Sequence, residues 1–310
     1  MAIKVTIPLI TFGCSWTYGV GVGYNTVMDS EQYKKIGWNQ DICDSLSFRG
    51  LLSEKYFLKN KNFSSGGSSN QRQFRLAREF FSSRRFKELQ NNYDKILVLW
   101  GITSTARNEV WSTEQNQLQN FFYSDEKLNL SKFFTKFCYS HENEIRILRT
   151  EMRHWNTFFK NSNIDNLWFD TFNHHDYNAI EIEHLKPHYD EVKVPSWPNW
   201  RDFSKNQFNV ASDIFEEIMD PRWPWPEFFY PVDNLIFNDE NPRDLLSKLA
   251  IKNKCQNVDN RYHMSDWEID TNRVGHLVNC GILNPHSHHP TRQGHEQITE
   301  MLSPYIEALL

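Results

Sequence analysis

Ile3-Lys4-Val5-Thr6-Ile7-Pro8-Leu9-Ile10-Thr11-Phe12 runs without a break into Gly13-Cys14-Ser15-Trp16-Thr17-Tyr18-Gly19. β-Branched and apolar residues fill the first part, and a glycine ends it. That pattern predicts a buried strand stopping in a tight turn. Residues 95–100 (KILVLW) read as the strongest strand of the chain and also end on a glycine, Gly101. Residues 164–169 (IDNLWF) read the same way and stop at Asp170, while 56–63 are a weaker candidate ahead of Ser64-Ser65-Gly66-Gly67-Ser68-Ser69-Asn70. Between these strands lie helical stripes. Phe74, Ala77, Phe80 and Phe81 share one over about 70–90, and Phe134, Phe137, Ile145, Leu148, Met152 and Trp155 share another over 131–160. A last helix over about 291–309 opens at Pro290-Thr291. Strands separated by helical spans imply βαβ units. The expected fold is therefore α/β, a three-layer α/β/α arrangement around a parallel sheet of flavodoxin-like order.

From about 176 to 275 the periodicity degrades. Six prolines between Pro195 and Pro231 stand among Trp197, Trp200, Trp223 and Trp225, with helical pieces near 206–219 and 242–253. The stretch lacks a run of strong strands, so it reads as a long loop/helix insertion or cap within a single domain, 1–310. Its rings suit an ordinary packed cap or an aromatic platform for a sugar.

The chain has 310 residues, with 34 Lys and Arg against 39 Asp and Glu, a net charge of -5. This mild acidity argues against a partner held by nucleic-acid phosphates. No run approaches the roughly 18 apolar residues of a membrane span. Aromatics make up 15% of residues, too many for a disordered chain. Yet the mean hydropathy is -0.66, and Asn occurs 30 times against 7 Ala. Rings set among amides suggest aromatic-lined loop surfaces. Five cysteines with no close pair imply neither a disulfide framework nor a Cys metal site. The N-terminus carries no secretion signal, because its apolar run leads straight into the Ser15 turn, so a cytoplasmic location is expected.

Four loops are chemically loaded, and an open parallel sheet gathers loops at the carboxyl ends of its strands into one crevice. In the first, Ser15 stands in a strand-to-helix turn, where a hydroxyl can be exposed beside its own backbone N–H; a plain N-cap uses the same residue type. In the second, Gly66 and Gly67 let backbone N–H groups approach a ligand, as a simple turn also would. The third, Gly101-Ile102-Thr103-Ser104-Thr105-Ala106-Arg107, offers hydroxyls and a cation, or a cap and a solvated Arg. The fourth, Asn284-Pro285-His286-Ser287-His288-His289-Pro290-Thr291-Arg292-Gln293-Gly294-His295, holds four His without the spacing of HExxH or a His/Cys finger, so no metal or other cofactor is expected. A His just before a Pro-opened helix is well placed as a general base.

In this order the four blocks resemble those of the SGNH (GDSL-type) hydrolases. The wording is also similar to SGNH-like proteins carried by tailed bacteriophages, which would place the chain in a host cytoplasm or a virion. The resemblance implies Ser15 as nucleophile and His289 as its base. It implies an oxyanion site from Ser15 N–H and Gly66 N–H, with Gly67 as the alternative register. Thr103 stands where the family has an Asn, its hydroxyl a shorter-reaching donor to the oxyanion, and His286 stands where the family has the Asp that orients the base. A neutral His can accept a bond from the base but cannot stabilise an imidazolium as an anion would. Asp170, or Asp176 in the following loop, could fill that role instead. Gly67, Asn70, Arg107, Asp170 and His174 are the candidates for substrate contact. The expected function is a serine esterase acting on an O-acyl or O-acetyl ester, on a small molecule or a glycan. Two rivals stand beside it: a catalytically weakened glycan-binding or virion structural protein, and a His-metal hydrolase.

Overall fold

Alternation along the strands builds both faces of the sheet at once. In β1 (Ile7–Phe12), Leu9 faces one side and Ile10 and Phe12 the other; in β3 (Leu97–Ile102), Leu97 and Leu99 oppose Val98, Trp100 and Ile102. The strand residues are almost wholly buried, as expected of a parallel strand covered on both sides. The computed structural model describes residues 6–25, 30–36, 38–105, 107–112, 116–122, 141–172, 232–237, 244–255 and 271–310.

With β2 (Leu58–Asn62) and β6 (Asp165–Asp170), these strands form a parallel sheet of order β2-β1-β3-β6. That is the flavodoxin-like order expected from the sequence. Residues 234–236 extend the sheet beyond β6, because Trp168 N–H donates to Asn234 O at 2.9 Å and Ile236 N–H to Trp168 O at 2.9 Å. A separate antiparallel hairpin, β4 (Arg107–Ser112) and β5 (Gln117–Phe122), follows β3.

Helices cover both faces. On one side α4 (Phe48–Tyr56), α8 (Leu245–Lys252), α9 (Thr271–Asn279) and α10 (Arg292–Glu307) pack on Leu9, Leu97, Leu99, Leu167 and Phe169. On the other, α5 (Asn70–Phe81), α6 (Arg84–Asn92) and α7 (His141–Asn161) pack on Ile10, Phe12, Val98, Trp100 and Trp168. The fold is thus the expected α/β/α. The helical span over 70–90 divides at Ser82-Ser83. There the Ser82 hydroxyl turns back to Arg78 O at 2.7 Å, and Ser83 caps the next helix by accepting from Phe86 N–H.

Many of the aromatic residues lie in this second layer. Phe12, Trp100 and Trp168 are direct neighbours across three strands and stack at 4.4 and 4.6 Å. Phe63 continues the row at 5.2 Å from Phe12. Each such pair adds about 0.5–1.5 kcal/mol beyond burial. Both indole N–H groups find side-chain amides, Trp100 on Gln73 and Trp168 on Asn156. The expectation of rings lining loop surfaces therefore gives way, for these residues, to a buried aromatic ladder.

Part of the stretch expected as an insertion belongs to the core. Ile236, Phe237, Leu245, Leu246 and Leu249 are buried against the sheet, and Asp244 caps α8 by accepting from Ser247 N–H at 2.8 Å. The Trp/Pro segment, the helical piece at 206–219 and residues 131–140 lie outside the described residues. Among the described residues no helix is long and apolar enough to cross a membrane.

Candidate active site

Loops from four strand ends are stitched together at the carboxyl edge of the sheet. Ser65 N–H donates to Gly13 O at 3.3 Å, joining the loops after β1 and β2. Asn70 and Thr103 exchange two bonds, joining the loops after β2 and β3. Thr171 N–H donates to Ile102 O at 2.9 Å, tying in the end of β6.

Ser15 opens α1 (Ser15–Tyr18) and is 5% exposed. The turn demands Gly13 and Gly101, because a Cβ on either would collide with Thr17 Oγ1. Behind the turn, the buried Arg49 of α4 donates to Thr17 O at 3.0 Å and Tyr18 O at 2.9 Å, and pairs with Asp44 at 2.5 Å. A helix leaves its first N–H groups without intrahelical acceptors. Among the described residues neither Ser15 N–H nor Gly66 N–H has a partner. Gly67 serves the turn: Ser68 N–H closes it on Ser65 O at 3.3 Å, with Gly67 at φ 66°. The exposed indole of Trp38 lies over Gly66, in the space a Cβ there would need, and 5.8 Å from the Tyr18 ring.

His289 sits on a six-residue loop that Asn284 organises. Asn284 is fully buried. Its N–H and Nδ2 both donate to His289 O, at 2.9 and 3.0 Å, while its Oδ1 accepts from His286 N–H and Ser287 N–H. Gly21, at φ 101°, lets the loop after α1 approach; a Cβ there would lie 2.8 Å from His289 Cβ and 2.6 Å from Pro290 O. The far nitrogen of His289, Nδ1, is 2.8 Å from Ser287 Oγ. Burial, and after it the nearby Arg107 cation, push the His289 pKa down to about 4. The imidazole is therefore neutral at ordinary pH. No hydrogen bond joins Ser15 Oγ to His289 among the described residues.

The other candidates fall as follows. His286 does not reach His289; it is exposed, with its ring 5.7 and 5.9 Å from Tyr24 and Tyr33. The Nδ1 contact expected of His286 is made by Ser287 instead, whose N–H and hydroxyl are both held by Asn284 Oδ1. Asp170 does not take the role either. It is buried at the end of β6 and faces Asp244, whose pKa is raised to about 6 by burial first and by the Asp170 charge among other causes. Thr103, whose hydroxyl was the expected oxyanion donor, is 1% exposed, and its N–H donates to Asn70 Oδ1 at 2.9 Å. The Asn70 carboxamide clamps Thr103. Arg107 belongs to the site through its charge on His289 and lies over the Phe172 ring at 5.2 Å. His174 and Asp176 lie outside the described residues. Among the described residues no His, Cys, Asp and Glu cluster is arranged to hold a metal.

The Gly294-His295 pair is scaffold. A Cβ on Gly294 would lie 2.5 Å from Ile282 O, so the helix packs hard against that strand-like segment. His295 is fully buried and accepts from Phe48 N–H through Nδ1 at 3.3 Å. Sequence reasoning missed Ser287, Tyr33, Trp38 and Arg49. The Asn284-Pro285 dipeptide carried the one available signal, a turn that folds back on its own backbone.

No family model matches this chain, and no curated protein does. Among solved structures, the acetyl xylan esterase Est2A from the rumen bacterium Butyrivibrio proteoclasticus is similar over 61% of this chain and 53% of its own, at 13% identity and a TM-score of 0.33. A carbohydrate esterase whose active site displays divergent catalytic and non-catalytic binding functions is similar over 63% and 57%, at 12% identity and a TM-score of 0.30. A GDSL-like lipase from Parabacteroides merdae is similar over 75% and 88%, at 12% identity and a TM-score of 0.28. The chain spans little more than half the length of the first two.

Proposed function

We propose that this chain is a serine ester hydrolase that forms an acyl-enzyme on Ser15, with an O-acetyl or other O-acyl group on a carbohydrate as its substrate class. The observation that carries the reading is the combination at one edge of the sheet of a buried strand-to-helix Ser15, two uncommitted N–H donors, and a neutral His289. Ser15 Oγ would attack the ester carbonyl, and the N–H groups of Ser15 and Gly66 would receive the developing oxyanion. His289 would accept the Ser15 proton on Nε2 and return it to the leaving alcohol. With a hydroxyl and, among the described residues, no carboxylate on Nδ1, and with the Arg107 charge nearby, the imidazolium would be short-lived and a strong acid, which favours the second transfer.

One observation supports a second reading, a glycan-binding or virion structural protein without turnover: the Nδ1 partner is a hydroxyl where an anion would stabilise the charged base. The two readings part in one experiment. Purified protein should hydrolyse p-nitrophenyl acetate and release acetate from acetylated xylo-oligosaccharides, and a fluorophosphonate probe should label Ser15. Ser15→Ala should abolish all three. Equal rates for the two proteins exclude the esterase, and binding of the glycan without labelling selects the second reading.

A further inference from the structure

Ser287 Oγ has three polar neighbours: Asn284 Oδ1 at 3.1 Å, Tyr33 Oη at 2.7 Å and His289 Nδ1 at 2.8 Å. A serine hydroxyl has one proton to give and two lone pairs to accept with. The orientation of the Asn284 amide is set by its surroundings. Its nitrogen faces His289 O, which can only accept, and its oxygen faces the N–H groups of His286 and Ser287, which can only donate. The Ser287 proton therefore goes to Asn284 Oδ1. Both remaining neighbours must then donate to Ser287: Tyr33 through its O–H and His289 through Nδ1–H. This assignment leaves Nε2 of His289 as the bare nitrogen.

We infer that Ser287, backed by Asn284 and Tyr33, is a positioning residue that locks His289 in its Nδ1–H form, doing without charge what a carboxylate partner does with it. The inference deepens the proposed function, since the role of the bare Nε2 rests on that reading; the tautomer itself does not. Tyr33 comes from α2 (Ser30–Ile36), more than 250 residues away in sequence, and is buried. Among the described residues, the charged and titratable groups around His289 are Arg107 from β4, His288 from its own loop, His295 from α10 and, through Ser287, Tyr33. None supplies a negative charge at neutral pH. Burial and the Arg107 charge outweigh the upward pull of the hydrogen bond to Ser287, so the pKa of the ring stays low. The Tyr33 hydroxyl is itself held protonated, its pKa raised chiefly by burial.

The test uses the full-length protein labelled with 15N-histidine, with the His289 resonances assigned by their loss in His289→Gln. At pH 7 the wild type should show Nδ1 protonated and Nε2 bare. Ser287→Ala should give a mixture of tautomers and lower kcat by about ten- to a hundredfold, short of the roughly 10²–10⁴ a whole base contributes, with KM little changed. Ser287→Thr should restore both the tautomer and most of kcat, a rescue that a merely structural serine would not show. Tyr33→Phe should weaken the tautomer preference with the fold intact by circular dichroism. Ser287→Asp should raise the His289 pKa. An unchanged His289 spectrum and kcat in Ser287→Ala overturns the inference, as does fluorophosphonate labelling of Ser287 itself. If the tautomer responds to Ser287→Ala while Ser15→Ala keeps full turnover, the esterase reading fails and the positioning stands. If Ser15→Ala is dead and Ser287→Ala is unaltered in both readouts, the positioning alone fails.

Discussion

Asn70 and Thr103 hold each other through two reciprocal hydrogen bonds. Asn70 Nδ2 donates to Thr103 O at 2.8 Å, and Thr103 N–H donates to Asn70 Oδ1 at 2.9 Å. The first residue of α5 is thereby fastened to the end of β3, and both are buried. Asn70→Ala would strand a buried N–H and a buried C=O, a loss of about 2–4 kcal/mol from two unmet groups. Chemical denaturation should show that loss. Asn70→Asp should be nearly as harmful, because a carboxylate would face the Thr103 carbonyl. A midpoint within error of wild type for either variant would remove the clamp.

The low pKa of His289 sets the expected pH dependence of turnover. The base acts in its neutral form, so activity is present above the pKa and lost below it. With that pKa at about 4, lowered first by burial and then by Arg107, kcat/KM should hold down to near pH 4 instead of falling from 6.5. Arg107→Gln removes the cation but not the burial. Its acid limb should move upward and stay below pH 6.5. A pH–rate profile of the two proteins with limbs at the same pH would contradict this.

At Gly66 the available space is closed by Trp38. Gly66→Ala would drive a methyl group into the indole, which is exposed and can swing away. Stability should change by less than about 1 kcal/mol, in line with a surface substitution, while the Trp38 fluorescence shifts and esterase activity falls. Trp38→Ala in the same background should return most of the activity. If it does not, the loss lies in the Gly66 N–H itself and not in the ring above it.

His295 links stability to pH. It is neutral in the fold, with its pKa pushed down to about 3 by burial first and the Arg49 charge second, against 6.5 in the unfolded chain. Its contribution is complete above pH 6.5 and is lost as pH falls toward 3. His289 works in the same direction down to about 4. Asp244, raised to about 6, works in the opposite direction between 6 and 3.8. The net slope is still a loss of stability on acidification. His295→Gln keeps an acceptor for Phe48 N–H and removes the titration, so its Tm should drop less than wild type between pH 7 and pH 5. Equal drops would rule out His295 as a source of the slope.

The framework was readable from local pattern. Runs such as 96–100 are apolar at every position, as suits strands buried on both faces, and their order with the intervening helical stripes matches the sheet that forms. The loops were readable for a related reason: glycine and serine cluster where the backbone must turn, as at Gly13 and Gly67. Boundaries were less legible. Ser82 and Ser83 divide one expected helix in two because their hydroxyls compete for backbone groups. Leu245–Lys252, expected within an insertion, joins the core because Asp244 caps it beside Asp170.

Residue types and their spacing were enough to settle that the chain alternates strands and helices, and that Ser15 and His289 stand at loops which such a sheet gathers. They could not settle which group touches His289. His286 and Ser287 are adjacent, and from spacing either could face the ring. The choice falls to Ser287 because Asn284 folds the loop back on itself and Tyr33 arrives from a helix more than 250 residues away. A hydroxyl leaves no periodic trace in a sequence. Its role depends on three neighbours at hydrogen-bonding distance, and only the folded chain brings them together.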